Sequence, residues 1–137
     1  MFKTVLFPIN QSREAREAAD VVIEIVKNYS SRLYILSVLE PPPSEEEAAN
    51  SEAMTSPEAI AELLQGAKTM FSQQGIEAEV MEREGKPAFV ICDVADEIDA
   101  NLIIMGCRGI GLTDEGMTES VTNRVINLSP CPVLVIP

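Results

Sequence analysis

Strand-like and helix-like spacing alternate along the whole chain, and that alternation limits the fold more than any other feature. TVLFPI (Thr4 to Ile9) is short, apolar and β-branched, as a strand covered on both faces tends to be. A helical pattern follows Ser12, a residue type suited to an N-cap, and runs to Lys27. Ala15, Ala18, Ala19, Val22, Ile23 and Val26 recur in it at three- and four-residue spacing. RLYILSVLE (Arg32 to Glu40) is a second buried strand. Pro57 opens a second helix, carrying Ile60, Leu63, Leu64, Ala67 and Phe71 to about Gln74, where Gly75 stops it. IEAEVME (Ile76 to Glu82) alternates apolar and polar residues, as an edge strand with one wet side does. A third helix begins at Pro87 with Phe89, Val90, Val94, Ala95 and Ile98 on its apolar face. Then come NLIIM, a glycine-rich loop, a fourth helix from about Glu119 to Leu128, and PVLVI. The order β-α-β-α-β-α-β-α-β predicts an α/β domain, doubly wound, with a parallel sheet between two helical layers.

The chain has 137 residues, enough for one domain with its own core, and no repeat or second apolar core interrupts it. PPPSEEEAANSEAMTSP (Pro41 to Pro57) is proline-led and acidic with almost no large apolar residue. It predicts a mobile surface loop at about 41–56. Net charge is −12, which argues against nucleic acid and against anionic membranes as partners. No apolar run approaches the ~20 residues that span a bilayer, and MFKTVLFPIN lacks the layout of a signal peptide, so the expected location is cytoplasmic. Cys92, Cys107 and Cys131 are an odd number without a CxxC pair, and histidine is absent. Free thiols are expected, with no zinc site and no histidine-dependent nucleophile.

A doubly wound sheet binds ligands beyond the carboxyl ends of its strands, where the winding reverses, and a five-stranded order of 3-2-1-4-5 or 2-1-3-4-5 is usual. Only the turn after the fourth strand is glycine-rich. MGCRGIGLTDEGMTES (Met105 to Ser120) holds Gly106, Gly109, Gly111 and Gly116. Glycines there let backbone N–H groups approach an anion, and the start of the next helix aims its positive dipole end at the same place. If strands one and four are neighbours, the facing segment is FPIN, which brings Pro8, Ile9 and Asn10 to the ligand. The loop is neither a Walker A motif nor a GxGxxG turn.

GCRG, nine residues, then ES, with SPCPVLVIP at the end of the chain, resembles the nucleotide-loop signature of the universal stress proteins, G-x2-G-x9-G-S/T before a helix. KTVLFPIN, LYILSVLEP and EGKPAFVICDVADEIDANLIIMG extend the resemblance over essentially all 137 residues. It implies a single domain over 1–137 with a five-stranded parallel sheet of order 3-2-1-4-5, the adenine nucleotide alpha hydrolase-like architecture. It also implies a homodimer formed through the last strand, here Pro132 to Ile136, an apolar edge that pairing would cover.

Many members of that family bind ATP or AMP, and another branch binds no ATP. Carried over by position, Asn10 stands where the adenine-contacting Asp usually is, and Val38 where the backbone meets adenine. Met105 and Gly106 match the ribose side, Arg108 and Gly109 the start of the phosphate loop, and Ser120 and Val121 the phosphate contacts at the helix start.

Two departures bear on selectivity. Asn10 exchanges a pure acceptor for a group that donates and accepts, which weakens without abolishing an adenine contact. Glu119 replaces the second signature glycine and brings a Cβ and a charge to where phosphate should sit. At about 4 Å, a carboxylate costs a phosphate oxygen ~1 kcal/mol in water-like surroundings and ~4 kcal/mol at an effective dielectric near 20. The larger figure is roughly three orders of magnitude in affinity.

The expectation is therefore an adenine-nucleotide-binding regulator that prefers AMP or ADP, with ATP disfavoured. Magnesium is expected only together with a nucleotide, whose phosphates would complete its ligand set. No catalytic residue is expected, because the loop offers no general base and no clamp beyond Arg108, although weak ATP turnover stays open. The alternative is a nucleotide-free interaction protein that acts through its dimer surface and acidic loop.

Overall fold

The computed structural model describes residues 2–9, 14–39, 57–106 and 115–136, with the backbone alone at 14–17, 57 and 115–120. The elements are β1 (Thr4–Pro8), α1 (Glu14–Tyr29), β2 (Arg32–Leu39), α2 (Pro57–Gln73), β3 (Ala78–Glu84), α3 (Pro87–Glu97), β4 (Leu102–Gly106), α4 (Glu115–Leu128) and β5 (Val133–Ile136). All neighbouring strands are parallel, and their order is β3-β2-β1-β4-β5. This is the expected 3-2-1-4-5 arrangement. The acidic segment at 41–56 lies outside the described residues.

Strand alternation sorts the apolar residues into two cores. Val5, Phe7, Leu33, Ile35, Leu102 and Ile104 pack under α1 and α2, against Ala18, Val22, Ile60, Leu64 and Phe71. Leu6, Leu36, Ile103 and Met105 pack on the opposite face under α3 and α4, against Ile91, Val94, Ala95 and Val125. The two-residue period of a strand therefore feeds both layers, which is why β1 and β4 read as unbroken apolar runs. Phe7 meets Phe71 edge to face, with centroids 6.1 Å apart and planes at 89°. Such a pair adds about 1 kcal/mol to the burial itself. It ties α2 to β1.

Helix ends follow the local chemistry. Gly75 takes φ +79° and closes α2 as a Schellman cap: Ile76 N–H donates to the Phe71 carbonyl at 2.9 Å, and Gly75 N–H to that of Ser72 at 3.0 Å. On α3 the buried residues are Ala88, Ile91, Cys92, Val94 and Ala95. Phe89, expected on the apolar face, is 48% exposed. The small Ala88 and Cys92 let this helix sit close to the sheet, so the packed face is rotated away from the bulkier side chain. β3 is an edge strand whose residues after Ala78 are mostly exposed, and its charges guard the open edge.

Candidate functional site

The winding reverses between β1, the central strand, and its neighbour β4. Register pairs between them are Val5↔Leu102 and Leu6↔Ile103, and among the described residues they stop at that point. The outer pairings run on: β1 with β2 to Pro8↔Leu36, and β4 with β5 to Gly106↔Ile136. Backbone groups beyond the last β1–β4 rung are therefore left outside that ladder at the switch point, while both strands stay paired on their other sides.

Pro8 accounts for the end of the β1–β4 ladder. Ile9 N–H donates to the Leu36 carbonyl at 2.8 Å, so odd-numbered residues of β1 turn their polar groups toward β2. Thr4 N–H donates to Asn101 Oδ1 at 2.9 Å, and Asn101 N–H to the Thr4 carbonyl at 2.8 Å, so even-numbered residues face β4. In a parallel ladder, the next pair, Phe7↔Ile104, needs a donor at position 8 for the Ile104 carbonyl. Proline has none. The ladder ends because one residue lacks an N–H.

Ile103 N–H donates to the Pro132 carbonyl at 3.0 Å, toward β5. By alternation, Gly106 N–H then faces β1 and the cleft. Gly106 has no side chain to fill that space, and α4 begins beyond it. On the β2 side, Ser37 is fully buried and its hydroxyl donates to the Ile9 carbonyl at 3.3 Å. Leu39, next but one to Ser37, accepts from Gly85 N–H at 3.0 Å on the β3 side. The backbone polar groups of Val38, between them, are turned to the β1 side. Ser37 was not legible as a site residue; its one signal is a hydroxyl inside the apolar run LYILSVL.

Of the residues expected at the site, Pro8, Ile9, Val38, Met105 and Gly106 lie at the carboxyl ends of β1, β2 and β4. Ile9 and Met105 are buried, and Pro8, Val38 and Gly106 are partly open. Val121 lies on α4, partly buried against the core that holds Met105 and Leu6. Asn10, Arg108 and Gly109 lie outside the described residues. Glu119 and Ser120 are placed by their backbone alone, and there the structure differs from the sequence expectation. Helix α4 starts at Glu115, a turn earlier than about Glu119. A glycine would disfavour helix at position 119 by ~1 kcal/mol relative to a good helix former, and glutamate is a good former. The N–H groups at 119 and 120 consequently fall inside the i→i−4 ladder rather than among the unpaired donors of the first turn.

Two thiols sit away from the cleft. Cys92 on α3 donates to the Val125 carbonyl of α4 at 4.0 Å, and burial, then Asp93 and Cys131, push it above the ordinary thiol range. Cys131 is raised by burial and partly drawn back by the Ser129 hydroxyl 3.7 Å away. Both are free; Cys107 lies outside the described residues. No group of His, Cys, Asp and Glu that could hold a metal is present among the described residues, and no helix among them is long and apolar enough to cross a membrane.

Comparison with known proteins places this architecture. The model of the universal stress protein family matches residues 1–137. The chain is 60% identical to universal stress protein Sll1654 of Synechocystis sp., over all of this chain and 87% of that protein. Among solved structures, a universal stress protein in complex with cAMP superposes with a TM-score of 0.77 at 21% identity, covering 99% of this chain and 97% of that one. A family member from Arabidopsis thaliana with AMP bound gives a TM-score of 0.69 at 20% identity, covering 98% and 90%. At those identities the two structures establish the fold.

Proposed function

The chain belongs to the universal stress protein family, and from that premise we propose that it is a non-catalytic regulator that binds an adenine nucleotide in the β1–β4 cleft, AMP or ADP in preference to ATP. One observation carries the reading. The β1–β4 ladder stops at Leu6↔Ile103 while the β1–β2 and β4–β5 ladders continue, which leaves Pro8, Ile9, Val38, Met105 and Gly106 together at the carboxyl ends of the strands, beyond the last β1–β4 rung. Backbone groups lie there, and a base and a ribose need few side chains to be held by such groups. The similar structures in complex with cAMP and with AMP lend support, since both ligands carry a single phosphate.

The preference for few phosphates follows from α4. With the helix continuing through position 119, the amides at 119 and 120 are committed to the helix, and the sequence places a glutamate at 119. A β- or γ-phosphate there meets a carboxylate at a cost of ~1 to ~4 kcal/mol. Magnesium would enter only with the nucleotide that supplies its remaining ligands. Absence of histidine from the chain favours binding without turnover.

The protein works as a homodimer in the cytoplasm in this reading. β5 pairs with β4 alone among the described strands, and its four residues are all partly exposed, which gives the Pro132–Ile136 edge a motive to pair with its twin. Sedimentation equilibrium tests that step: a dimer is expected, and a monomer at all concentrations overturns it. Calorimetry on the purified chain tests the ligand. AMP is expected to give a saturating isotherm, with ATP at least tenfold weaker. ATP binding as tightly as AMP overturns the preference. No heat with either nucleotide favours the nucleotide-free interaction protein.

A further inference from the structure

β1 is released on its β4 side by Pro8, and the β2 side shows a second release made by different chemistry. The β1–β2 register runs to Pro8↔Leu36 and is closed by Ile9 N–H donating to the Leu36 carbonyl at 2.8 Å. One more rung would run from Val38 N–H to the Ile9 carbonyl. Among the described residues that bond is not made. The Ile9 carbonyl takes the Ser37 hydroxyl instead, at 3.3 Å.

Three facts fix what this does. Ile9 is 8% exposed and Ser37 fully buried, so water does not compete freely for that carbonyl. A buried carbonyl without a donor is costly, so something must occupy it. Alternation along β2 points both backbone groups of Val38 to the β1 side, past the last residue that β1 pairs. When Ser37 supplies the donor, Val38 N–H stays out of the ladder, and its N–H and C=O remain side by side at the cleft.

We infer that Ser37 is a positioning residue for base binding: its hydroxyl occupies the Ile9 carbonyl and thereby reserves the Val38 amide for the ligand. The inference rests on the nucleotide reading for the identity of that ligand, but not for the state of the Val38 amide in the free protein. Removing the hydroxyl leaves the Ile9 carbonyl seeking a donor, and Val38 N–H is next in line. The ladder then gains the pair Ile9↔Ser37, and the cleft loses a donor.

The test compares the full chain with Ser37→Ala and with Ser37→Cys, which keeps the volume but donates weakly. Amide hydrogen exchange in the free protein is expected to show Val38 exchanging at least tenfold faster in the wild type than in either variant, with Leu36 unchanged. Calorimetry with AMP is expected to show about tenfold weaker binding for both variants. A Val38 amide equally protected in all three proteins overturns the inference. So does AMP affinity that falls in Ser37→Ala alone, since a packing defect would then be the cause. Wild-type protein that takes up no AMP defeats the nucleotide reading and this role with it, whereas AMP binding untouched by either variant defeats this role alone.

Discussion

Replacing Glu119 by Gly should convert the cleft toward longer phosphate chains. Helix α4 begins at Glu115, so only four helical residues precede position 119. A glycine there costs ~1 kcal/mol relative to glutamate. Four residues make about one turn, which cannot sustain itself across such a break. The first turn should melt, α4 should start near position 119, and the amides that follow should become the unpaired donors of a new helix start.

The lost carboxylate removes a further ~1 to ~4 kcal/mol of repulsion toward a phosphate oxygen at about 4 Å. The electrostatic part alone should therefore raise ATP affinity by roughly fivefold to a thousandfold. AMP affinity should change by less than about fivefold, because a single phosphate stays nearer the ribose. Glu119→Gln is the control: it removes the charge and keeps the helix, so it should recover only the electrostatic part. Calorimetry with both nucleotides reads the affinities, and far-ultraviolet circular dichroism reads the lost turn. If Glu119→Gly binds ATP no better than the wild type does, the block lies elsewhere and this reasoning is refuted.

Three other expectations follow from the same geometry. Pro8→Ala restores the donor for the Ile104 carbonyl, a gain of ~1 kcal/mol offset by ~0.4–1 kcal/mol of added freedom in the unfolded chain. The melting temperature should barely move while AMP affinity, by calorimetry, falls about tenfold; unchanged affinity would separate the cleft from the missing rung. Gly85→Ala places a Cβ 2.9 Å from Val90 Cγ2 at a residue with φ +143°, and should lower stability in urea by about 2 kcal/mol. Cys92 and Cys131 hold their protons more tightly folded than unfolded. Their contribution to stability is thus complete below the ordinary thiol range and declines as pH climbs through and above it. Urea midpoints should fall over that window in the wild type and less in Cys92→Ala, and alkylation of the native protein at neutral pH should be slow.

The architecture was legible because each βα unit announces itself locally. Short β-branched runs such as Val5 to Phe7 and periodic ones such as Ala18, Ala19, Val22 and Val26 need no tertiary information. Gly75 named its own cap. Features that depend on neighbours were not legible. Phe89 looked apolar enough to be buried, but which face of α3 meets the sheet depends on how closely the helix approaches. The start of α4 was misplaced by one turn because the family signature suggests a break at position 119, while glutamate lets the helix continue. Pro8 was visible as a residue facing β4, yet its effect on the ladder needs the direction in which each β1 amide points. Ser37 could not be singled out at all, since its role arises from a carbonyl 28 residues away in sequence.

The proposed site is the switch point, where β1 leaves both ladders, and its proposed occupant is an adenine nucleotide. Titrating isotopically labelled protein with AMP while following backbone amide resonances tests that assignment most directly. Saturable shifts are expected, concentrated at Ile9, Val38 and Gly106, with the amino-terminal ends of the same strands, at Val5, Leu33 and Leu102, unmoved. Shifts gathered at those amino-terminal ends, or none at saturating AMP, would contradict it.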